Sequence, residues 1–480
     1  MHFMAIDQGT TSTRALIVAP DGHMQVALSR PHKQYYPQPG WVEHDPEELI
    51  RNITACVNAA GAATAIGMDN QGESCMAWDA VSKKPLSPVI VWQDKRTTSQ
   101  IETLKAEGHE ASTLALAGLP LDPYFSASKL AWILANLPAA EAAYKNGTLR
   151  LGTTDAFFLD RLTGRFVTDV STASRTSLMN LQTLQWDETL CGLFGVPIEV
   201  LPEIVPTTGD FGVMQTAHGP IPVTASVVDQ QAALFGFGCH KKGDVKITFG
   251  TGVFALMVTG AEIIRQPERG LLPTVAWQLQ GQAPVYALDG GVFTASAAIN
   301  WAKDLGLFSE MADICEFPAP SAIEAGLAFV PALSGLGCPA WETRARGAWL
   351  GLSLEHTSAQ LVQAVLEGIA FRTGQVIEAM NSCLPVAGAI PIDGGMSQNP
   401  YFTQFQSDVL HREICGANMP EITGFGAAKL AALAVGHDIP EVTAFTSYQP
   451  RTDMRTAVGK FEKACAMSIS WAVDARDDQR

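Results

Sequence analysis

The feature that most constrains the fold is a short pattern that occurs twice, once near the start of the chain and once at its middle. In the first copy, the polar segment 7–14 separates apolar runs at 3–6 and 15–18. In the second copy, the sequence Gly-Thr-Gly at 250–252 lies between two more apolar runs. Each copy predicts two β-strands joined by a tight turn. The repetition indicates a duplicated unit whose two copies face each other.

The first of these turns has the composition of a phosphate-binding turn. It contains Gly9, four consecutive hydroxyl residues at 10–13 and Arg14, and Asp7 lies at its entry. Gly9 allows the backbone to approach a ligand closely, and backbone N–H groups and hydroxyls can bind phosphate oxygens. Asp7 suits Mg²⁺, which prefers oxygen ligands. The alternative is an ordinary polar hairpin turn, and the second copy of the pattern favours phosphate binding over it.

Length and composition narrow the class of protein. A chain of 480 residues is longer than a single hydrophobic core normally supports, so two domains are expected. The net charge of −16 argues against nucleic acid or an anionic membrane as a partner. No apolar run approaches the roughly 20 residues of a membrane span. The nine cysteines are scattered and never form C-x-x-C, which predicts reduced thiols in the cytoplasm and no zinc site.

Three further places carry candidate ligand-binding residues. Residues 70–74 (Asn-Gln-Gly-Glu-Ser) could form a ligand shelf in which Glu73 accepts hydrogen bonds from hydroxyls, although a solvated turn is the simpler reading. Tyr124 precedes an amphipathic helix, where core packing is an equal alternative. Asp229 follows a strand and opens a helix. We expect it to be the N-cap of that helix, a position that would also direct its carboxylate into the cleft.

A nucleotide site is predicted in the second half. Paired glycines at 394–395 lie at a strand-to-helix junction, where a base or ribose can lie against the backbone. A tight turn alone is the alternative. The chain contains no Walker A pattern, so an ATP site would not be a P-loop. The proline-rich stretch 200–222 predicts a linker that approaches the domain boundary.

Several longer segments carry a family resemblance. They are DQGTTSTRA, YPQPGWVEHDPEE, VWQDKRT, DPYFSASKLAWIL, DQQAALFG, TFGTGVFALM, GLGCPAWETRARGAWLGL and DGGMSQNPYFTQFQSD. In this order they resemble the FGGY carbohydrate kinases, and most closely the branch that phosphorylates glycerol. The resemblance implies an α/β fold of two ribonuclease-H-like (actin-like ATPase) domains around a catalytic cleft. We expect a polyol-binding domain at 1–238 and a nucleotide-binding domain at 239–480.

The resemblance also implies the residues of the site. The residues expected at the nucleotide are Thr10, Thr11, Ser12, Arg14, Gly250, Thr251, Ser296, Asn300, Gly394, Gly395 and Asn399. The residues expected at the polyol are Glu73, Trp92, Tyr124, Asp229, Gln230 and Phe254. Asp7 and Asp229 are expected near Mg²⁺, and Asp229 is also the expected catalytic base.

Three departures from the family pattern qualify this picture. Gly72 stands where the glycerol-phosphorylating branch has an arginine, so either a nearby cation such as Lys95 or Arg96 fills the gap or the gap accepts a longer polyol. Ser296 and Asn300 replace a glycine and a glutamine at nucleotide positions. Segment 217–220 is shorter than the region that carries a fructose bisphosphate loop in many relatives, so we expect that regulation to be absent.

The sequence thus predicts a cytoplasmic kinase that uses ATP and Mg²⁺ to phosphorylate a primary hydroxyl of a small polyol, with glycerol as the leading candidate. The alternatives are a kinase for a longer polyol or a ketose, and a non-kinase nucleotide switch with an actin-like fold. The expected partner is a small molecule, with no nucleic acid and no membrane insertion. The oligomeric state, a homodimer or a homotetramer, and the preferred polyol stay open.

Overall fold

The computed structural model describes residues 1–417, 419, 421–443 and 445–474. The strands of the first half are β1 (Phe3–Gln8), β2 (Ser12–Val18), β3 (Met24–Pro31), β4 (Glu43–His44), β5 (Ala65–Asn70), β6 (Cys75–Asp79), β7 (Val89–Ile90), β8 (Leu149–Thr153), β9 (Val167–Asp169), β10 (Met179–Asn180), β11 (Gln185–Trp186), β12 (Glu203–Val205), β13 (Val213–Thr216) and β14 (Gly219–Val228). Its helices are α1 (Pro46–Ala60), α2 (Thr98–Ala106), α3 (Glu110–Leu116), α4 (Ser126–Asn136), α5 (Pro138–Lys145), α6 (Thr154–Leu162), α7 (Val170–Ala173), α8 (Glu188–Phe194) and α9 (Asp229–Gly236).

The second half alternates strands and helices in a similar way. Its strands are β15 (Val245–Phe249), β16 (Val253–Gly260), β17 (Leu272–Trp277), β18 (Val285–Val292), β19 (Ala328–Val330), β20 (Ala348–Leu350), β21 (Ile390–Gly394), β22 (Ile414–Ala417) and β23 (Phe445–Tyr448). Its α-helices are α10 (Ser296–Asp304), α11 (Ser358–Cys383), α12 (Pro400–Leu410), α13 (Ile422–Ala434) and α14 (Arg455–Asp474). Short 3₁₀ helices span Ile198–Val200 in the first half and Pro267–Arg269, Met311–Ile314 and Gly395–Gln398 in the second.

Two sheets with the same local topology form the framework. The first has six strands in the order β13-β14-β5-β1-β2-β3, and the second has seven in the order β17-β18-β16-β15-β21-β22-β23. In the first, β1 pairs antiparallel with β2 and parallel with β5. In the second, β15 pairs antiparallel with β16 and parallel with β21. The repeated hairpin of the sequence is therefore the central element of each sheet, and the duplicated α/β architecture is confirmed.

Local sequence signals explain several element boundaries. Asp45, Pro46 and the glutamates at 47 and 48 predict the start of a capped helix. The structure confirms it, because the Asp45 side chain accepts a hydrogen bond from the backbone N–H of Glu47 and Pro46 occupies the first turn of α1.

The proline-rich stretch 200–222 is not a linker, and that prediction was wrong. It contributes β12, β13 and the first four residues of β14. Pro220 and Pro222 lie in the part of β14 that pairs only with the edge strand β13, before the pairing with β5 begins at Val223, so their missing N–H groups cost no ladder hydrogen bond to β5. Among the described residues, no helix is long and apolar enough to cross a bilayer.

The two halves share a hydrophobic core. The Ala-rich helix α13 comes from the second half, yet it packs against β1, β5 and β14 of the first sheet and against α9. Glycines permit this close approach: a Cβ added at Gly67 on β5 would lie 2.0 Å from the backbone oxygen of Ala427, and one added at Gly426 would lie 1.9 Å from that of Ala232. The backbone of α13 therefore lies directly against the strands that carry the first turn.

We expect Gly67→Ala to lower the free energy of unfolding by about 1–3 kcal/mol, the usual cost of overpacking a close-packed interior. The matched control is Gly192→Ala in α8, where an added Cβ has no neighbour within 4 Å. Alanine favours a helix over glycine, so the control should leave stability unchanged or raise it. Denaturant unfolding measures both variants. Equal midpoints for Gly67→Ala and the wild type would contradict the shared core.

Candidate active site

A cavity of about 190 Å³ lies between the two hairpin turns. Nine residues that the sequence predicted for the site line it: Thr10, Glu73, Trp92, Tyr124, Asp229, Gln230, Gly250, Thr251 and Phe254. They come from both halves of the chain. The cavity wall also contains residues that were not predicted, namely Arg175, Val228, Gln231, Thr248, Leu256 and Asp289, together with Gly72. The structure thus gathers the predicted polyol residues around one small space with both polar and apolar walls.

Asp229 projects from the junction of β14 and α9. It is the first residue of α9 rather than its N-cap, which is Val228, so the predicted capping position was off by one residue. Its Oδ1 accepts the backbone N–H of Gln230 at 2.7 Å. Burial raises the pKa of the Asp229 carboxyl to about 7, and the nearby Glu73 carboxylate adds to this shift. A carboxylate with a pKa near neutrality is well suited to accept a proton.

Three aromatic rings form one apolar side of the wall. The Trp92 ring makes edge contacts with Tyr124 and Phe254, at centroid distances of 5.7 and 6.3 Å. The Trp92 Nε1–H donates to Thr10 Oγ1 at 3.0 Å, so the same ring fixes a hydroxyl of the first turn. Trp92 therefore connects the apolar wall to the candidate phosphate turn.

Glu73 has an unusual backbone conformation and a charged partner. Its φ of 60° lies in the left-handed region, a strained conformation that tends to occur at functional sites. Its Oε1 accepts Arg175 Nε–H at 2.6 Å, and Arg175 Nη2 lies 3.0 Å from Asp289 Oδ2. Burial raises the pKa of Glu73, although Arg175 opposes the shift. Burial alone would lower the pKa of Arg175, but the carboxylates of Glu73 and Asp289 outweigh it and raise that pKa.

Neither Lys95 nor Arg96, the two cations proposed for the gap at Gly72, lines the cavity. Arg96 is bonded to Asp94 and Glu43, and its guanidinium lies 3.8 Å from the centre of the Trp41 ring. Lys95 is exposed. Arg175, more than a hundred positions along the chain from Gly72, lines the cavity beside it. The hypothesis that Arg96 fills the gap was therefore wrong.

The first turn is held by charges on its flanks. The Gly9 N–H donates to the Ser12 carbonyl at 3.1 Å and closes the turn. Arg14 Nη1 lies 3.2 Å from Asp7 Oδ2 and 2.9 Å from Glu421 Oε2. Thr11, predicted to contact phosphate, is exposed. Arg14 therefore joins the turn to the N-terminal end of α13.

The second turn is joined to the start of α10. The backbone N–H groups of Ala295 and Ser296 donate to the carbonyls of Thr251 and Gly250, at 2.9 and 3.2 Å. Ser296 and Asn300 are four positions apart on α10, so they share one face of this helix. Ser296 is partly buried, whereas Asn300 is exposed. Neither side chain lines the small cavity.

The predicted adenosine residues lie between β21 and α12. Gly394 has a φ of 88°, and a Cβ there would lie 2.2 Å from the Phe249 carbonyl oxygen, so only glycine fits. An added Cβ at the next residue, Gly395, would meet nothing within 4 Å. The Asn399 side chain caps α12 by accepting the Phe402 N–H at 2.9 Å. Gly395 therefore offers an open backbone surface, whereas Asn399 is already engaged in the fold.

Two carboxylates on adjacent strands provide a candidate position for a metal ion. Asp7 and Asp69 are register partners in the parallel pair β1–β5, and both are buried. No amide, hydroxyl or cationic group donates to either oxygen of Asp69, and its hydrogen-bonding neighbour is the Asp7 carboxyl, with which it can share a proton. Burial raises the pKa of both carboxyls, and the proximity of Asp7 and Asp229 adds to the rise at Asp69. Mg²⁺ is commonly held by one or two carboxylates with water and substrate phosphates, so this pair fits such an ion.

Sequence reasoning missed four charged residues of this region: Asp69, Arg175, Lys246 and Asp289. Asp69 ends an apolar run immediately before the predicted shelf, and Lys246 interrupts the apolar strand β15. Lys246 Nζ donates to Gln230 Oε1 at 2.5 Å and to Thr248 Oγ1 at 2.7 Å. A charged residue within an apolar strand is the signal that could have identified these two. Arg175 lies in a run of small polar residues that has no such signal.

Comparison with known proteins agrees with this geometry. The model of the FGGY family of carbohydrate kinases matches residues 2–236 with its N-terminal domain and 245–435 with its C-terminal domain. The chain belongs to this family. It is 39% identical to a glycerol kinase of Halobacterium salinarum over 98% of each chain. It is 42% identical to a glycerol kinase of a Geobacter species over 91% of this chain and 90% of that protein.

A solved structure of this family extends the agreement to three dimensions. A Plasmodium falciparum glycerol kinase, crystallised with ADP, superposes with a TM-score of 0.88 and 30% identity, covering 97% of this chain and 98% of that one. The predicted membership of the FGGY kinase family and the predicted two-domain fold are thus both confirmed.

Proposed function

We propose that this FGGY kinase transfers the γ-phosphoryl group of ATP to a primary hydroxyl of glycerol. The observation that supports this proposal is the cavity itself, whose lining includes Asp229, Glu73 and Gln230 together with Thr10 and Thr251 of the two turns. Its volume of about 190 Å³ suits a small polyol. The names of the relatives support glycerol as the substrate. The first domain, 1–238, would hold the polyol and the second, 239–480, most of the nucleotide.

In the proposed reaction, Asp229 accepts the proton of the attacking hydroxyl. Glu73 and Gln230 orient the polyol, and the rings of Trp92 and Tyr124 cover its carbon chain. Because phosphoryl transfer depends mainly on positioning and electrostatic stabilisation, holding the hydroxyl in line with the phosphorus is the principal task of these residues. Bound polyol and nucleotide would displace water from the cavity, which would otherwise compete as the acceptor.

The phosphoryl oxygens would be bound by the two turns. Thr10 and Thr251 provide hydroxyl and backbone donors from opposite sides, with Thr11 and Ser12 beside Thr10. Arg14 contributes positive charge, and its guanidinium is also paired with the carboxylates of Asp7 and Glu421. Bound Mg²⁺ would neutralise developing charge on the phosphates. We assign Asp7 and Asp69 to hold this ion, because they lie side by side on adjacent strands, and reserve Asp229 for the proton.

Substrate length tests the proposed function and its nearest alternative together. Gly72 has no side chain to limit the cavity, which favours a kinase for a longer polyol or a ketose as the second candidate. We expect polyol-dependent ADP release with kcat/KM higher for glycerol than for erythritol, the pentitols or ketopentoses. A higher kcat/KM for a four- or five-carbon substrate would favour the alternative. ADP release that no polyol stimulates would contradict both.

The protonation of Asp229 should control the pH dependence of the reaction. Only the ionised carboxylate can accept the hydroxyl proton, so kcat/KM for the polyol should fall as pH decreases through about 7, the pKa of this carboxyl. Asp229→Asn should lower kcat by a factor of about 10² to 10⁴, the range of general-base contributions, and should remove this acidic limb. Initial rates measured between about pH 5.5 and 9, a range that extends to both sides of this pKa, test both effects.

The control for the Asp229 experiment is Asp122→Asn. Asp122 is a carboxylate that accepts the Tyr124 N–H at 2.9 Å but does not line the small cavity. This variant should retain the acidic limb. Wild-type turnover by Asp229→Asn, or an unchanged pH profile in that variant, would show that another group accepts the proton.

Substitutions at the adjacent glycines 394 and 395 should affect folding and nucleotide binding separately. Gly395→Ala should weaken ATP binding without lowering the melting temperature, because its added methyl group meets only the open surface where adenosine would lie. Gly394→Ala is the contrasting variant, since its methyl group would lie 2.2 Å from the Phe249 carbonyl oxygen and should lower the melting temperature. Calorimetric titration with ATP and thermal unfolding measure the pair. Wild-type ATP affinity in Gly395→Ala would place adenosine elsewhere.

A further inference from the structure

The guanidinium of Arg175 is held in place but not fully paired. Its Nε donates to Glu73 Oε1 at 2.6 Å, and its Nη2 lies 3.0 Å from Asp289 Oδ2. Its third nitrogen, Nη1, is buried and has no hydrogen-bond partner. The side chain is only 5% exposed. A buried donor without a partner is costly, so this nitrogen is a position at which a ligand would gain binding energy.

The surroundings of Arg175 fix the direction of that nitrogen. Carboxylates hold the guanidinium on two sides, and the rings of Tyr124 and Phe125 lie 5.9 and 5.5 Å from its central carbon. A planar guanidinium held in this way keeps one orientation. Arg175 also lines the cavity that contains Asp229 and Gly72. Arg175 therefore belongs to the wall of the proposed polyol site, and its unpaired donor lies buried within that wall.

We propose that Arg175 binds the polyol by donating a hydrogen bond from Nη1 to a hydroxyl other than the one that is phosphorylated. This inference rests on the proposed function. It assigns to Arg175 a role in substrate selection, because the donor requires a hydroxyl at one defined position of the substrate. Gly72 carries no side chain, and a Cβ there would lie only 3.1 Å from Val228 Cγ1, so the guanidinium beside Glu73 comes from the segment after α7 instead.

The first test uses substrates that lack one hydroxyl and therefore cannot accept this hydrogen bond. Glycerol is compared with 1,2-propanediol and 1,3-propanediol, each of which lacks one hydroxyl. A charge-assisted hydrogen bond corresponds to a factor of about ten to a hundred in binding. In the wild type, at least one of the two diols should therefore have a kcat/KM lower than that of glycerol by about this factor.

Arg175→Lys then removes the donor from the protein side. Lysine retains a positive charge between Glu73 and Asp289 but lacks the planar fork of donors. The ratio of kcat/KM between glycerol and the affected diol should fall towards one, because neither substrate can then make the contact. The matched control is Arg96→Lys, since Arg96 is also paired with two carboxylates but lies outside the cavity. Its ratio should equal that of the wild type.

The outcomes separate this inference from the function on which it rests. If the wild type does not phosphorylate glycerol, the proposed function is wrong. If it phosphorylates glycerol but uses both diols equally well, the role of Arg175 is wrong, and this result needs no variant. If Arg175→Lys folds, as thermal unfolding would report, and keeps the wild-type ratio, Arg175 serves only to pair Glu73 with Asp289.

Discussion

The site depends on one buried ion cluster, formed by Glu73, Arg175 and Asp289. Burying a charge costs several kcal/mol unless a partner compensates for it, so each of these residues needs the others. Glu73 and Arg175 come from the first half of the chain, and Asp289 lies on β18 of the second. The cluster therefore stabilises the arrangement in which the two halves enclose the cavity, and it fixes the carboxylate that would orient the polyol.

A second constraint is the close approach of backbones around α13. This helix belongs to the second half but packs on the first sheet, and glycines at 67 and 426 permit the contact. Arg14 extends the same connection by pairing with Asp7 and with Glu421 near the start of α13. The candidate phosphate turn is thus anchored to both halves, which gives a physical reason why the two domains share a hydrophobic cluster in addition to having cores of their own.

The sequence predicted those features that arise from local signals. The two hairpins, the capped helix α1 and the strand before Asp229 follow from patterns within a few residues. It did not predict Arg175, whose partner Glu73 is 102 positions away and whose partner Asp289 is in the other half, because no local pattern encodes such a contact. The stretch 200–222 was misread for a related reason: its prolines indicated a linker, whereas its strands are formed by pairing with each other and with the distant β5.

The central claim is that the cavity between the two turns directs the γ-phosphoryl group of ATP to an alcohol rather than to water. The most direct measurement follows ATP labelled at its γ-phosphoryl group in the presence of Mg²⁺, with and without glycerol. The account predicts that the label appears on a primary hydroxyl of glycerol, with one ADP formed for each glycerol phosphorylated and little ADP formed without glycerol. Label found only in inorganic phosphate, released equally fast with and without glycerol, would contradict it.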